Sequence, residues 1–153
     1  MTQTPYHPAA FALQGLITLS NEIERELTRR LELNLTDYRA LSALAASGPV
    51  TVGTLGEHLG ATPATTTAIV NRLESAGHVR RQRVDDDRRQ VRVSVTRDAY
   101  RRIIELMSPL MDATNAHIRA LPSAHQRVIE DFLNTAQAQM LEHLRALSAE
   151  AAG

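Results

Sequence analysis

The chain has 153 residues, with 17 basic and 17 acidic side chains and a formal net charge of zero. This length fits one domain, or one compact domain with long helical extensions. Apolar residues make up 43% of the sequence and aromatic residues only 3%, which predicts an aliphatic core. Because the sequence has no cysteine, disulfides, zinc–thiolate sites, iron–sulfur clusters and thiol redox sensors are excluded.

The N-terminal segment has the composition of a cytoplasmic protein. Its first 21 residues include Pro5, His7 and Pro8 and lack a basic leader, so they are a poor secretion signal. No predominantly apolar run approaches the length of a bilayer span. We therefore expect a cytoplasmic protein with no membrane partner.

The positive charge of the sequence is concentrated in one segment. Lysine is absent, so every basic residue is an arginine. Residues 72–102 hold ten arginines against five acids, a net charge of +5, and the flanking segments are mildly acidic. This pattern is typical of a nucleic-acid contact, and a solvated charged surface is the alternative interpretation.

The first helices are predicted from apolar spacing and capping residues. Residues 9–33 predict a helix roughly 36 Å long, which is too long for one small domain to cover. Its apolar stripe is therefore expected to meet a partner helix. Asn34 is expected to cap a second helix, with Asp37 in a capping-box-like position, and Gly48 is expected to end it.

Two further helices follow at a short distance. Thr51 is expected to cap a short third helix that ends at Gly60, and Gly56 inside it suggests the close approach of another helix. Thr62 followed by Pro63 predicts the start of a fourth helix. The inward stripe of this fourth helix is expected to comprise Thr66, Ile69, Val70, Leu73 and Ala76.

A β-hairpin and two long helices complete the predicted elements. The first strand is expected at about residues 78–84 and the second, with strict apolar alternation, at about 91–95, joined by a loop at 85–89. Thr96 is expected to cap the fifth helix, which Pro109 should kink or interrupt. Ser123 and Gln126 predict a capping box for the sixth helix.

This order of elements is that of a winged helix-turn-helix. The third and fourth helices are joined by a tight turn at residues 60–62, which the motif needs to place one helix across the other. The N-terminal part of the fourth helix would then lie near base edges in the major groove. The side chains on its outward face are small or able to form hydrogen bonds, and none of them is acidic. The candidate DNA-contacting residues of this helix are Thr62, Ala64, Thr65, Thr67, Ala68, Asn71 and Arg72.

The hairpin is expected to supply positive charge to the DNA contact. Arginine side chains lie on its first strand and at its tip, and an arginine on a thin loop can enter a narrow minor groove. Asp87 precedes Arg89 by two residues and is expected to hold it by an ion pair. The hairpin residues assigned to DNA are Arg81, Arg83, Asp87, Arg88 and Arg89.

At these residues the sequence resembles the MarR family of bacterial transcription regulators. The similar segments are 33–41, 62–79 and 87–96, the last being the most specific. The resemblance implies an obligate homodimer with a helical dimerisation domain at 9–33 and 98–148. It also implies a DNA-binding lobe at 34–97 and a ligand pocket between the two.

The sequence departs from the family pattern in three ways. Residues 83–85 replace a Pro-Asp-Pro-like segment at the wing. Ala68 stands where the family commonly has an arginine, so base readout is expected to shift toward Thr65, Thr67, Asn71 and Arg72. The missing cysteine means that any effector binds non-covalently.

The aromatic and histidine residues are the remaining candidates for ligand-binding groups. Phe11, Tyr38 and Tyr100 are candidates for lining a pocket for an aromatic ligand, with core or interface positions as the alternative. The histidines have no spacing that defines a metal site, so surface or interface positions are expected for His117, His125 and His143.

The predicted fold is mainly α with a small β-hairpin wing, comprising a winged helix-turn-helix lobe and a helical dimerisation domain. No catalytic motif or phosphate loop is present in the sequence, so we expect no enzymatic activity and no cofactor. The predicted function is a homodimeric repressor that binds double-stranded DNA at a pseudo-palindromic operator and is released by a small aromatic effector. The alternative is a dimeric ligand- or protein-binding helical module that no longer reads DNA, which Ala68 and the acidic wing tip favour.

Overall fold

The computed structural model describes residues 5–84 and 87–150, which form helices and one small antiparallel sheet. This confirms the predicted fold class. The chain divides into two units between Leu106 and Met107. In chain order the elements are α1 (Pro8–Leu31), α2 (Leu35–Ser47), β1 (Val50–Thr51), α3 (Val52–Leu59), α4 (Pro63–Ser75), β2 (Val79–Val84), β3 (Asp87–Val95), α5 (Arg97–Arg119) and α6 (Ser123–Glu150).

The predicted caps of α2, α3 and α4 are confirmed. The side-chain oxygens of Asn34, Thr51 and Thr62 each accept a hydrogen bond from the backbone N–H three residues further on, at 2.8, 3.1 and 3.2 Å. Each bond satisfies a backbone donor that the helix itself cannot pair. The helix starts are therefore encoded locally.

The predictions for α5 and α6 were correct only in part. Thr96 Oγ1 accepts the N–H of the residue three further on, at 3.3 Å, as expected of a cap. However, α5 runs through Pro109 without interruption. The capping box of α6 was wrong, because Ser123 is already the first helical residue and Gln126 Nε2 donates to the Leu121 carbonyl oxygen at 2.8 Å.

The sheet has three strands in the order β1–β3–β2, all antiparallel. Strand β1 was not predicted, because two residues show no alternation; Val50 pairs with Val93 of β3. Strand β3 begins at Asp87, earlier than expected. In the hairpin, Val79 pairs with Val95 and Arg80 with Ser94, so alternate residues of β2 point to opposite faces of the sheet.

The core of the first unit lies between α2, α3, α4 and the sheet. Burying a side chain such as those of Leu, Ile or Val contributes roughly 1.5–3 kcal/mol, so this cluster dominates the stability of the lobe. Ala76 was predicted to face inward, but it is exposed because it caps the C-terminus of α4. The buried cluster comprises Ala40, Leu41, Leu44, Leu55, Ile69, Val70, Leu73, Val79 and Val93.

The crossing of α3 and α4 depends on Gly56. A Cβ atom added there would lie 2.9 Å from Thr66 Oγ1 and 3.3 Å from the carbonyl oxygen of Ala61. The Thr66 hydroxyl is buried and donates to the Thr62 carbonyl oxygen at 2.9 Å, so moving it aside would break this bond. The close helix approach expected at Gly56 is therefore confirmed.

The second unit contains the later part of α5 and all of α6. Ala136 is buried, at 6% exposure, while large apolar side chains along the same helix stay exposed. Within residues 5–84 and 87–150, no helix is both long enough and apolar enough to cross a membrane. The exposed apolar residues of α6 include Val128, Phe132, Leu133, Met140, Leu141, Leu144 and Leu147.

Candidate nucleic-acid interface

Helix α4 has a buried face and an exposed face with different chemistry. Thr66, Ile69, Val70 and Leu73 are fully buried against α2, α3 and the sheet. The exposed face carries no acidic side chain over its first three turns, so it can approach a polyanion closely. All the residues assigned to it from the sequence are exposed: Thr62, Ala64, Thr65, Thr67, Ala68, Asn71 and Arg72.

Arg72 is held by Asp37 of α2, whose carboxylate was expected to take part in a capping box at the start of that helix and instead accepts hydrogen bonds from Arg72. Its Nε and Nη2 atoms donate to the two carboxylate oxygens of Asp37 at 2.9 and 2.7 Å. The Asp37 side chain is only 6% exposed, whereas that of Arg72 is 52% exposed. The hydrogen bonds that Arg72 donates to Asp37 raise the pKa of Arg72 above its ordinary value. The pair joins the C-terminal part of α4 to the first turn of α2, and it leaves Nη1 of Arg72 outside the two bonds.

Asn71 is fixed by an arginine from the hairpin. Arg81 Nη2 donates to Asn71 Oδ1 at 2.7 Å, and Arg81 Nη1 forms an ion pair with Glu74 Oε2. The backbone N–H of Arg81 also donates to Glu74 Oε1, at 3.3 Å. Because a guanidinium only donates, the atom of Asn71 that faces it must be the oxygen, which leaves the Nδ2 amide as a donor.

The described hairpin residues that were proposed to contact DNA differ in their exposure to solvent. Arg81 is half-buried against α4, while Arg83, two residues further along the same face of β2, is exposed. The side chains of Asp87, Arg88 and Arg89 lie outside the described residues. The expected Asp87–Arg89 ion pair belongs to that undescribed part as well.

The roles that two acids, Glu74 and Asp37, have at this site were not predicted from the sequence. Glu74 follows Asn71 by one helical turn, so its role could have been inferred once Arg81 was placed on the adjoining strand. Asp37 is 35 residues from Arg72, and no local pattern indicates their contact.

The three aromatic residues proposed to line one pocket are not brought together. Phe11 lies in a cavity with Tyr6, Ala10 and Gln14, and the two rings pack edge to face with centroids 6.2 Å apart. Tyr100 lines a different cavity beside the sheet. Tyr38 is half-buried on α2.

No group of three or more histidine or carboxylate side chains that could hold a metal ion occurs in the part of the chain that the structure describes. His117, His125 and His143 are exposed in the second unit, as expected.

The turn between α3 and α4, with the hairpin that follows them, defines a winged helix-turn-helix. The model of the MarR family matches residues 31–90. The uncharacterized HTH-type transcriptional regulator YcgE of Bacillus subtilis (strain 168) is 33% identical over 112 residues, which cover 73% of this chain and 73% of that protein. The chain belongs to the MarR family of transcription regulators, which are not enzymes.

Solved structures of low sequence identity share the fold. A MarR-like transcriptional regulator from Thermotoga maritima has a TM-score of 0.64 at 20% identity, over 88% of this chain and 98% of that one. Reduced AbfR bound to DNA has a TM-score of 0.50 at 20% identity, over 87% of this chain and 91% of that one.

Proposed function

We propose that the protein is a cytoplasmic, homodimeric repressor that binds a pseudo-palindromic DNA operator through α4 and the hairpin. The observation that carries this proposal is the exposed face of α4, which has no acidic side chain over its first three turns and whose opposite face is fully buried. A helix held in this way can enter the major groove without losing its packing. Reduced AbfR, which shares the fold, has been solved bound to DNA, and this supports DNA binding as the function.

Within this proposal Asn71 is a hydrogen-bond donor to DNA. Bidentate recognition of adenine needs both the carbonyl oxygen and the amide nitrogen of an asparagine. Since Arg81 occupies Oδ1 at 2.7 Å, Nδ2 remains to donate to a base acceptor or a phosphate oxygen. Thr65 and Thr67 are exposed one or two turns earlier and can place methyl groups against thymine.

Arg72 is proposed to contact a phosphate while it stays bonded to Asp37. Its Nη1 group is not used in the two bonds to Asp37 and lies on a half-exposed side chain. A phosphate contact adds affinity on every sequence, so Arg72 would position the helix rather than specify the operator. Arg83, Arg88 and Arg89 are proposed to add further charge from the wing.

The homodimer is proposed from the uncovered apolar faces of the long helices. On α1, the exposed fractions of Phe11, Leu16 and Leu19 are 45%, 61% and 55%. Apolar residues of α6 are exposed to a similar degree. Obligate dimers typically bury more than roughly 2,000 Å² of such surface. We propose dimerisation through residues 9–33 and 98–148, and static light scattering giving about one chain mass, 16.9 kDa, at micromolar concentration would contradict it.

The DNA-binding proposal is tested by fluorescence anisotropy with duplexes from the region upstream of the protein's own gene. Binding should weaken with salt in proportion to the number of phosphates contacted, and a scrambled duplex should bind more weakly. Asn71→Ala should cost about 1–3 kcal/mol on the operator and relax preference at one position. Ser47→Ala, at an exposed position of α2 outside the proposed DNA and dimer contacts, is the control. Equal affinity for operator and scrambled DNA would refute sequence-specific binding.

A further inference from the structure

Asn71 lies on the exposed face of α4, one helical turn beyond Thr67 and Ala68. Residues three and four positions apart are neighbours on a helix surface, so these three side chains form one patch. Ala68 ends at its Cβ atom and leaves room beside it for the longer side chain of Asn71. The Asn71 amide has one donor group and one acceptor atom, so its orientation decides which base it can recognise.

The orientation of this amide is set by Arg81 from strand β2. Arg81 Nη2 donates to Asn71 Oδ1 at 2.7 Å, which is the length of a charge-assisted hydrogen bond. A guanidinium has no acceptor atom, so Nδ2 cannot take the place of Oδ1 in this contact. Turning the amide over would break the bond and bring two donors together. Oδ1 is therefore held on the Arg81 side, and Nδ2 is the group left to donate.

Arg81 is in turn anchored by Glu74, which follows Asn71 by one helical turn. Its Nη1 atom forms an ion pair with Glu74 Oε2, and its backbone N–H donates to Glu74 Oε1 at 3.3 Å. The side chain of Arg81 is 29% exposed, so much of it is packed against the protein. Both terminal nitrogens of the guanidinium therefore bond to α4, and the orientation of Asn71 is fixed before any DNA is bound.

The bases differ in the groups that they present to such a donor in the major groove. Guanine O6 and thymine O4 are acceptors, whereas adenine N6 and cytosine N4 are donors. An asparagine with both ends of its amide free pairs with adenine through two bonds, accepting from N6 and donating to N7. With Oδ1 occupied, the bond from N6 is lost and that donor stays unpaired, whereas the oxygen of guanine or thymine can still accept from Nδ2.

We propose that Arg81 is a positioning residue that sets the base preference of Asn71 toward guanine or thymine and against adenine. Arg81 acts through the amide of Asn71 and touches no base itself. The operator should therefore have guanine or thymine at the position that Asn71 faces in each half-site. This inference deepens the proposed function and rests on it, because it requires α4 to lie in the major groove.

The test is the selection of bound duplexes from a randomised library by the full chain, followed by sequencing. Asn71→Ala locates the position that Asn71 reads, because base preference relaxes there. At that position the wild-type protein should enrich guanine or thymine over adenine. Arg81→Met keeps a long side chain but removes every donor. It should raise adenine relative to guanine and thymine by about tenfold, the discrimination typical of a bidentate pair.

Arg80→Met is the matched control, since it removes the same charge from the neighbouring residue of β2. Successive side chains of a strand point to opposite faces, and Arg80 lines the cavity that Tyr100 also lines. Arg80→Met should leave the preference at the Asn71 position unchanged. Circular dichroism checks that each variant is folded. A purely structural or electrostatic role of Arg81 would lower affinity on all sequences without raising adenine, and that result would overturn the proposal.

A second variant tests the orientation without changing Arg81. Asn71→Asp replaces the donor that faces DNA by an acceptor while Arg81 keeps its partner, so the preference should move to cytosine or adenine, at lower affinity on every sequence. An unchanged preference would overturn the proposal. If the wild-type protein enriches no sequence, the proposed function is refuted and this inference with it. If it enriches an operator with adenine at the Asn71 position, only the inference is refuted and sequence-specific DNA binding stands.

Discussion

The ion pair between Arg72 and Asp37 gives a prediction that separates stability from DNA binding. Arg72→Ala removes two hydrogen bonds, of 2.9 and 2.7 Å, from a carboxylate that is almost fully buried. Hydrogen bonds to charged groups contribute about 1.5–3 kcal/mol, and losing one partner of a fully buried pair costs about 3–5 kcal/mol. Since Arg72 is half-exposed, water can reach Asp37 after truncation, so we expect a loss of about 2 kcal/mol in the free energy of unfolding.

The assay is urea denaturation at a fixed protomer concentration, because the stability of the proposed dimer would depend on concentration. A loss of this size should lower the melting temperature by about 4–8 °C for a chain of this length. The matched control is Arg101→Ala, whose partner Asp98 is 88% exposed, and it should cost less than about 0.5 kcal/mol.

A double-mutant cycle isolates the interaction itself. Asp37→Ala and Arg72→Ala together should destabilise the protein by clearly less than the sum of the single changes, with a coupling energy of about 2 kcal/mol. If the two single losses simply add, or if Arg72→Ala is no more destabilising than Arg101→Ala, the ion pair does not hold α4 to α2.

Three further outcomes are expected. Gly56→Ala should destabilise the protein by about 1–3 kcal/mol, because the added methyl would lie 2.9 Å from the buried hydroxyl of Thr66. Gly53→Ala, whose added methyl has its nearest neighbouring atom at 3.8 Å, should be neutral or stabilising in the same denaturation assay. Burial and the charge of Arg102 lower the pKa of His78 in the folded protein, so the unfolded chain takes up the proton first as the pH falls. The stability of the protein should therefore fall as the pH drops below about 6.5. Melting curves recorded against pH should show a smaller fall in His78→Gln. Arg89→Ala should weaken operator binding and reduce the salt slope by about one unit at an unchanged melting temperature, and an unaltered slope would mean that this wing residue does not contact phosphate.

The parts of the fold that could be predicted from the sequence are those with local causes. Asn34, Thr51 and Thr62 cap their helices through bonds that span three residues, so the residue type and its position suffice. Strand β1 could not be found, since it exists only through its pairing with β3. The contact between Asp37 and Arg72 likewise depends on the packing of α2 against α4, so the spacing of these residues in the sequence does not predict it.

The arginine-rich segment shows that the functional surface of a side chain cannot be predicted from its position in the sequence alone. Counted along the sequence, Arg80 and Arg81 contribute equally to one basic cluster. In the sheet, the pleat of β2 sends them to opposite faces: Arg81 bonds to Glu74 and Asn71 on α4, while Arg80 lines the cavity beside Ser94. The charge of the segment therefore serves two surfaces.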